Sequence, residues 1–320
     1  MSGEDINTDE QLTQEQLIIL ANQNRNNNKK IITFSGLNLS IMAIAIFVVQ
    51  IIIAYLSKTY FKEFYESNWY NITVTAIGVA GVGLPVFAIL MKRIPDSERG
   101  EVKRLSFGKF LKCFFISVAA MYLANFITVF INFFIGIMRG NMIENPVKDI
   151  VYNSNMILNI LYVSIFGPLV EELIFRKILL DKLRRFGDLP AILLTGIAFG
   201  LFHMNLSQFL YATVLGILFA YITIRSNTVF YTVILHMMIN FMGSALPMLV
   251  IDESIISMGI FALWVYGSMT IGIVLFILNV KKIKLNKPRV ALVKTRDFIL
   301  NPGTLIFISI CLVMIVISLL

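Results

Sequence analysis

Gly167-Pro168-Leu169-Val170-Glu171-Glu172-Leu173-Ile174-Phe175-Arg176 closes an apolar run that starts near Met156, and its reading decides the fold. In a soluble helix, two adjacent carboxylates and an arginine would be ordinary surface residues. In a membrane span they are costly, because an ionisable group in hydrocarbon is disfavoured by roughly 2.5–3.5 kcal/mol on insertion scales. The rest of the chain decides for the membrane. Hydrophobic residues make up 58% of the 320 and charged residues only 14%, and mean hydropathy is +0.81. An ordinary soluble domain does not have this composition. Of the 19 acidic residues, Glu171 and Glu172 are the two that fall within a long apolar run. Intramembrane carboxylates mark function by default.

Outward from this stretch, apolar runs cover about 32–56, 70–91, 113–138, 156–172, 190–204, 208–224, 228–250, 255–280 and 304–320. Each is near the length needed to cross a bilayer or is bounded by turn and charge signals. Lysine and arginine test the layout. With the N-terminus inside, 23 of the 27 basic residues fall in cytoplasmic segments and four (Lys58, Lys62, Arg139, Lys148) outside. That asymmetry is the one expected of membrane topology. The expected fold is therefore all-α, a polytopic transmembrane helical bundle of about eight or nine spans with a cytoplasmic N-terminus. The last run is the one open to a re-entrant or interfacial reading.

The chain divides into a polar cytoplasmic tail (1–30), N-terminal transmembrane helices (31–150), a core (151–250) and C-terminal helices with a basic linker (251–320). The tail has room for a short amphipathic helix over 11–22. Its polarity leaves no cleavable signal peptide, so the first span would direct insertion. The net charge of +8 lies between apolar runs, as in loops facing anionic lipid. Membrane lipid is thus an expected partner and nucleic acid is not. Cys113 and Cys311 lie in or beside apolar runs, far apart, with no disulfide framework and no C-x-x-C pattern. No internal repeat suggests a transporter of inverted halves.

Both histidines of the chain lie in expected spans, His203 in Phe199-Gly200-Leu201-Phe202-His203 and His236 in His236-Met237-Met238-Ile239-Asn240. Helix positions four apart share a face, so Phe199 lies beside His203, and Asn240 points the same way as His236. Glu172 and Arg176 are also four apart, acid before base, which is the favourable order for an intrahelical pair. If the cytoplasmic edge of the Glu171 span is at residues 182–184, then Glu171, His203 and His236 sit at similar depths, roughly 16–20 Å from that edge at ~1.5 Å per residue. Arg176 is then buried too, and pairing with Glu172 offsets part of its desolvation cost. Glu171 keeps no sequence-local partner.

Glu-Glu-x-x-x-Arg, Phe-x-x-x-His and His-x-x-x-Asn, in this order on successive membrane helices, resemble the signature of the CPBP family. This is the family of CAAX-type prenyl endopeptidases and of bacterial bacteriocin-processing and immunity proteins, also called Abi. The resemblance covers residues 151–250. It implies an intramembrane glutamate-type endopeptidase. Glu171 would activate a water with help from His203, while His236 and Asn240 stabilise the oxyanion. Glu172, Arg176 and Phe199 would be structural or orienting. Many family members carry Gly after the motif arginine, where this chain has Lys177.

A metal is the open point of this reading. Glu171, His203 and His236 would make a His-His-carboxylate set that suits zinc. No His-Glu-x-x-His spacing occurs, and the preferred route is metal-free, with no metal assigned. Expected substrates are peptides or small proteins, prenylated or of bacteriocin or pheromone type, in a bacterial plasma membrane. Two rivals stand beside this reading. One is a non-catalytic membrane scaffold or bacteriocin-immunity protein; the other is a proton-coupled transporter using Glu171 and the histidines as a relay.

Overall fold

The computed structural model describes residues 14–97, 99–141, 143, 156–247, 254–286, 293 and 295–319. The first 13 residues of the expected tail, the segment with Asn145-Pro146, and 287–292 of the basic linker lie outside them. Every regular element among the described residues is helical, the arrangement that lets a chain in hydrocarbon satisfy its own backbone hydrogen bonds. In chain order the principal helices are α1 (Gln14–Tyr60), α2 (Tyr70–Met91), α3 (Phe107–Arg139), α4 (Ile157–Phe186), α5 (Asp188–Phe202), α6 (Leu206–Ser226), α7 (Phe230–Ser244), α8 (Ile255–Lys282) and α9 (Pro302–Leu319).

Seven of these are long and apolar enough to cross a membrane. The chain is a multi-pass integral membrane protein. The expectation of eight or nine spans is met in part, because α5 and α7 are short. At 1.5 Å per residue the 15 residues of α5 reach only about 22 Å, against a hydrocarbon core of about 30 Å. α5 stops because Met204 adopts a left-handed φ of 52° and Asn205 opens the next helix. The Asn205 side chain accepts from the Gln208 N–H at 2.9 Å, taking up one of the free donors at the start of α6.

α5 and α6 form an antiparallel hairpin and pack along their length. The closeness comes from Gly196 and Gly200, spaced as a small-x-x-x-small motif. A methyl group on Gly200 would meet the Thr213 side chain and the Phe209 carbonyl, and one on Gly196 would meet Ile217. α6 also packs on α3, and α3 on α8, while α1 packs against α2 and α9. On α9, Phe307, Cys311 and Ile315, at four-residue spacing, are buried in the same core as α1 and α4. From Gln14 the chain is helix, continuous with the first span, and Arg25 and Lys29 reach Asp297 at 3.8 and 3.2 Å. A helix already nucleated by a long span extends at little cost per residue.

The basic end of α4 is tied to the loop after α2. Lys182 bonds the Asp96 carboxylate and the Ile94 carbonyl, each at 2.6 Å. Arg99 pairs with Asp181, and Arg185 donates to the Pro95 carbonyl. Arg184 donates to Asn227 at 2.5 Å. Arg176, grouped with the cytoplasmic charges by simple counting, is instead fully buried one turn and a half deeper.

Candidate active site

Residue types fix how α4 presents its carboxylates. Pro168 has no N–H to give to the preceding turn. The helix there widens to π geometry over Tyr162–Phe166, and again over Leu173–Leu179, so Glu171 and Glu172 lie on a short α segment between two π stretches. Such stretches are frequent at functional sites. In the wider register the carbonyl five residues before Pro168 is that of Val163, and the Asn240 amide donates to it at 3.0 Å. α7 widens in the same way just after Asn240, over Phe241–Ala245.

The adjacent glutamates face different surroundings, since one residue turns an α-helix by about 100°. Glu172 is 0% exposed. One of its oxygens stands 3.1 Å from the Arg176 guanidinium and 3.0 Å from His236 Nδ1. The Arg176–Glu172 pair expected from sequence is therefore present, and a contact not readable from sequence is added to it. Glu171 has a 22% exposed side chain, and its carboxylate stands 3.5 Å from His236 Nε2. His236 thus lies between two carboxylates, one buried and one open.

Among the described residues none accepts a hydrogen bond from the Arg176 guanidinium, although the cation is fully buried. It lies instead over the Phe199 ring at 4.3 Å and near Phe219 at 5.6 Å, an arrangement in which aromatic faces stabilise a cation. Phe199 also meets both imidazoles edge to face, His203 at 4.9 Å and His236 at 5.6 Å. One phenyl ring thus supports the arginine and both histidines. His203 closes α5, and its Nδ1 is 2.9 Å from the Phe199 carbonyl. A carbonyl can only accept, so Nδ1 carries the proton and the neutral ring keeps its lone pair on Nε2. The Asn205 amide donates to the His203 carbonyl at 2.8 Å and holds the turn.

Glu171, His203, His236 and Asn240 all line one cavity of about 250 Å³, with walls from α2, α4, α5, α6 and α7. Spacing had set Phe199 beside His203 and Asn240 beside His236, and the fold brings Glu171, His203, His236 and Asn240 to one cavity. Glu172 and Arg176 stay outside the cavity, behind His236. Lys177 is exposed and takes no part in the cavity lining. Four nearby residues were not among those expected from sequence: Phe219, whose ring is 5.4 Å from that of His236, and Tyr162, Gln208 and Tyr211 on the cavity wall. Phe219 is one of 26 phenylalanines. Gln208 and Tyr211, bonded at 3.0 Å, do stand out as polar groups three apart near the start of an apolar helix. Among the described residues, no three His, Cys, Asp or Glu side chains converge as a metal-ligand group.

Residues 153–242 match the family described as type II CAAX prenyl endopeptidase Rce1-like. The chain carries a Rce1-like domain. Every residue of the proposed site except the α2 wall falls within the matched region. Over 162 residues the chain is 30% identical to the "Putative membrane peptidase YdiL" of Bacillus subtilis (strain 168). That alignment takes in 49% of this chain and 64% of the relative, so the chain spans just under two thirds of the relative's length. No solved structure gives a significant match. At the level of family, the matched region is similar to CAAX-type membrane proteases.

Proposed function

We propose that the protein is an intramembrane endopeptidase whose working carboxylate is Glu171. The observation that carries this reading is the division of labour between neighbours. Glu171 opens onto a cavity shared with His203, His236 and Asn240, while Glu172 is sealed behind it against Arg176. In this reading Glu171 takes a proton from a water as the water oxygen bonds to the scissile carbonyl carbon. His203 Nε2 orients that water. The carbonyl oxygen becomes an oxyanion, held by His236 and by the amide proton of Asn240 not used on Val163. Collapse breaks the C–N bond, and the proton on Glu171 passes to the leaving amine. Donation by His236 from Nε2 while Nδ1 faces Glu172 requires the imidazolium, and two flanking carboxylates accommodate that cation.

The route needs no metal. Its substrates are peptides or small proteins in or beside a bacterial plasma membrane, with the N-terminus of the enzyme cytoplasmic and α5 and α7 completing a nine-segment bundle. The cavity is smaller than a typical drug-sized site of about 300–1,000 Å³. It suits a scissile peptide and a water, with the rest of the substrate outside.

The test is cleavage of a library of lipidated and unlipidated peptides by the purified full chain in detergent. Wild type, Glu171→Ala and His203→Ala are compared with and without a chelator. Expected are cleavage by wild type, a loss of about 10²–10⁴-fold in each variant, and no effect of chelator. Cleavage that persists in Glu171→Ala removes this glutamate as the base. Loss on chelation, restored by zinc, replaces the metal-free route.

A further inference from the structure

A second, larger cleft of about 540 Å³ lies away from the active-site cavity, where the start of α3 meets the last turns of α6 and α8. Its rim is cationic. Lys109 and Lys112 are three apart on α3 and so share a face; Arg225 closes α6 and Lys282 closes α8. Among the described residues no acidic side chain lines it. Among the described residues, Lys109, Lys112 and Arg225 enter no ion pair, and Lys282 bonds only the neutral Asn279, at 3.3 Å. Four like charges around one cleft repel each other, and an anion between them relieves the repulsion.

The walls below the rim are apolar. On α3 and α6 the change comes about one turn deeper, roughly 6 Å at ~1.5 Å per residue, and on α8 nearly two turns in from Lys282. Ile116 lies four residues in from Lys112, Ile222 three in from Arg225, and Phe276 three in from Asn279. Cation above and hydrocarbon below is the order of an anionic phospholipid standing in its leaflet. A water-soluble phosphate would use the rim and leave the walls unmatched. Basic pockets between membrane helices recognise acidic lipid headgroups on these terms, and the half-buried Arg225 offers the planar fork that suits phosphate oxygens.

We propose that the cleft between the basic ends of α3, α6 and α8 binds the phosphate headgroup of an anionic phospholipid through Lys109, Lys112, Arg225 and Lys282. Nothing in this depends on the peptidase reading. The test measures binding to the full chain in detergent of phosphatidylglycerol, phosphatidylcholine and inorganic phosphate. The proteins are wild type, Lys112→Gln/Arg225→Gln, the charge-keeping Lys112→Arg/Arg225→Lys, and a control pair outside the cleft, Lys92→Gln/Arg93→Gln. Phosphatidylglycerol is expected to bind in preference to phosphatidylcholine and to weaken about fivefold per charge removed. The charge-keeping pair retains binding and the control pair matches wild type. The proposal is overturned if Lys112→Gln/Arg225→Gln binds like wild type or the control pair loses as much, which would mean diffuse attraction. It is also overturned if inorganic phosphate at matched concentration displaces the lipid, which would make the ligand free phosphate.

Discussion

Glu171 and Glu172 are chemically identical and adjacent, yet their surroundings give them different work. Glu172 neutralises the fully buried Arg176 and meets His236 Nδ1. Removing one partner of a buried pair leaves an uncompensated charge, typically costing about 3–5 kcal/mol. Glu172→Gln is therefore expected to lower the melting temperature in detergent and to reduce cleavage together. Glu171→Gln, at a half-open position, is expected to keep the melting temperature of wild type while cleavage falls by about 10²–10⁴-fold. If the two variants exchange these behaviours, the roles of the two glutamates are reversed.

At the scale of elements, the site is built where helices depart from regular geometry. α4 widens on both sides of the glutamates, α7 widens after Asn240, and α5 stops at His203. The α5–α6 hairpin sets where His203 stands, through the close approach at Gly196 and Gly200. Gly200→Val is expected to cost about 1–3 kcal/mol of stability by overpacking and to cut cleavage further by displacing His203, three residues on. Thermal unfolding and cleavage rates measured on the same preparation check both.

The loop at the base of α4 makes a pH prediction. The bond from Lys182 holds the Asp96 carboxyl below its ordinary value of 3.8, with burial working weakly the other way. A lowered pKa in the folded state means stability that is fully present above the unfolded value and lost as pH falls through the folded one. The stability difference between wild type and Asp96→Asn should therefore be constant near neutrality and shrink as the solution is acidified below about pH 4. It should be small throughout, since Asp96 is largely exposed.

At the scale of the whole molecule, the distribution of basic residues predicts orientation. In a background without Cys113 and Cys311, Glu66→Cys should react with a membrane-impermeant thiol reagent on intact cells. Lys103→Cys should react only after permeabilisation. The reverse pattern would invert the topology.

What the sequence determined by itself was local. Hydropathy is a property of each segment, so the membrane class and the approximate helices could be read along the chain. Helical spacing is local too, so Glu172 could be paired with Arg176, and Phe199 and Asn240 placed beside the two histidines. Only the tertiary structure decided the contacts that cross the chain: His236 between two glutamates 64 and 65 residues away, Asn240 on the Val163 carbonyl, and Phe219 behind His236. It also decided that α5 stops short, because helix length there depends on a left-handed turn at Met204. Long-range packing chooses among faces that local periodicity leaves equivalent, and that choice made one of two adjacent glutamates face the cavity.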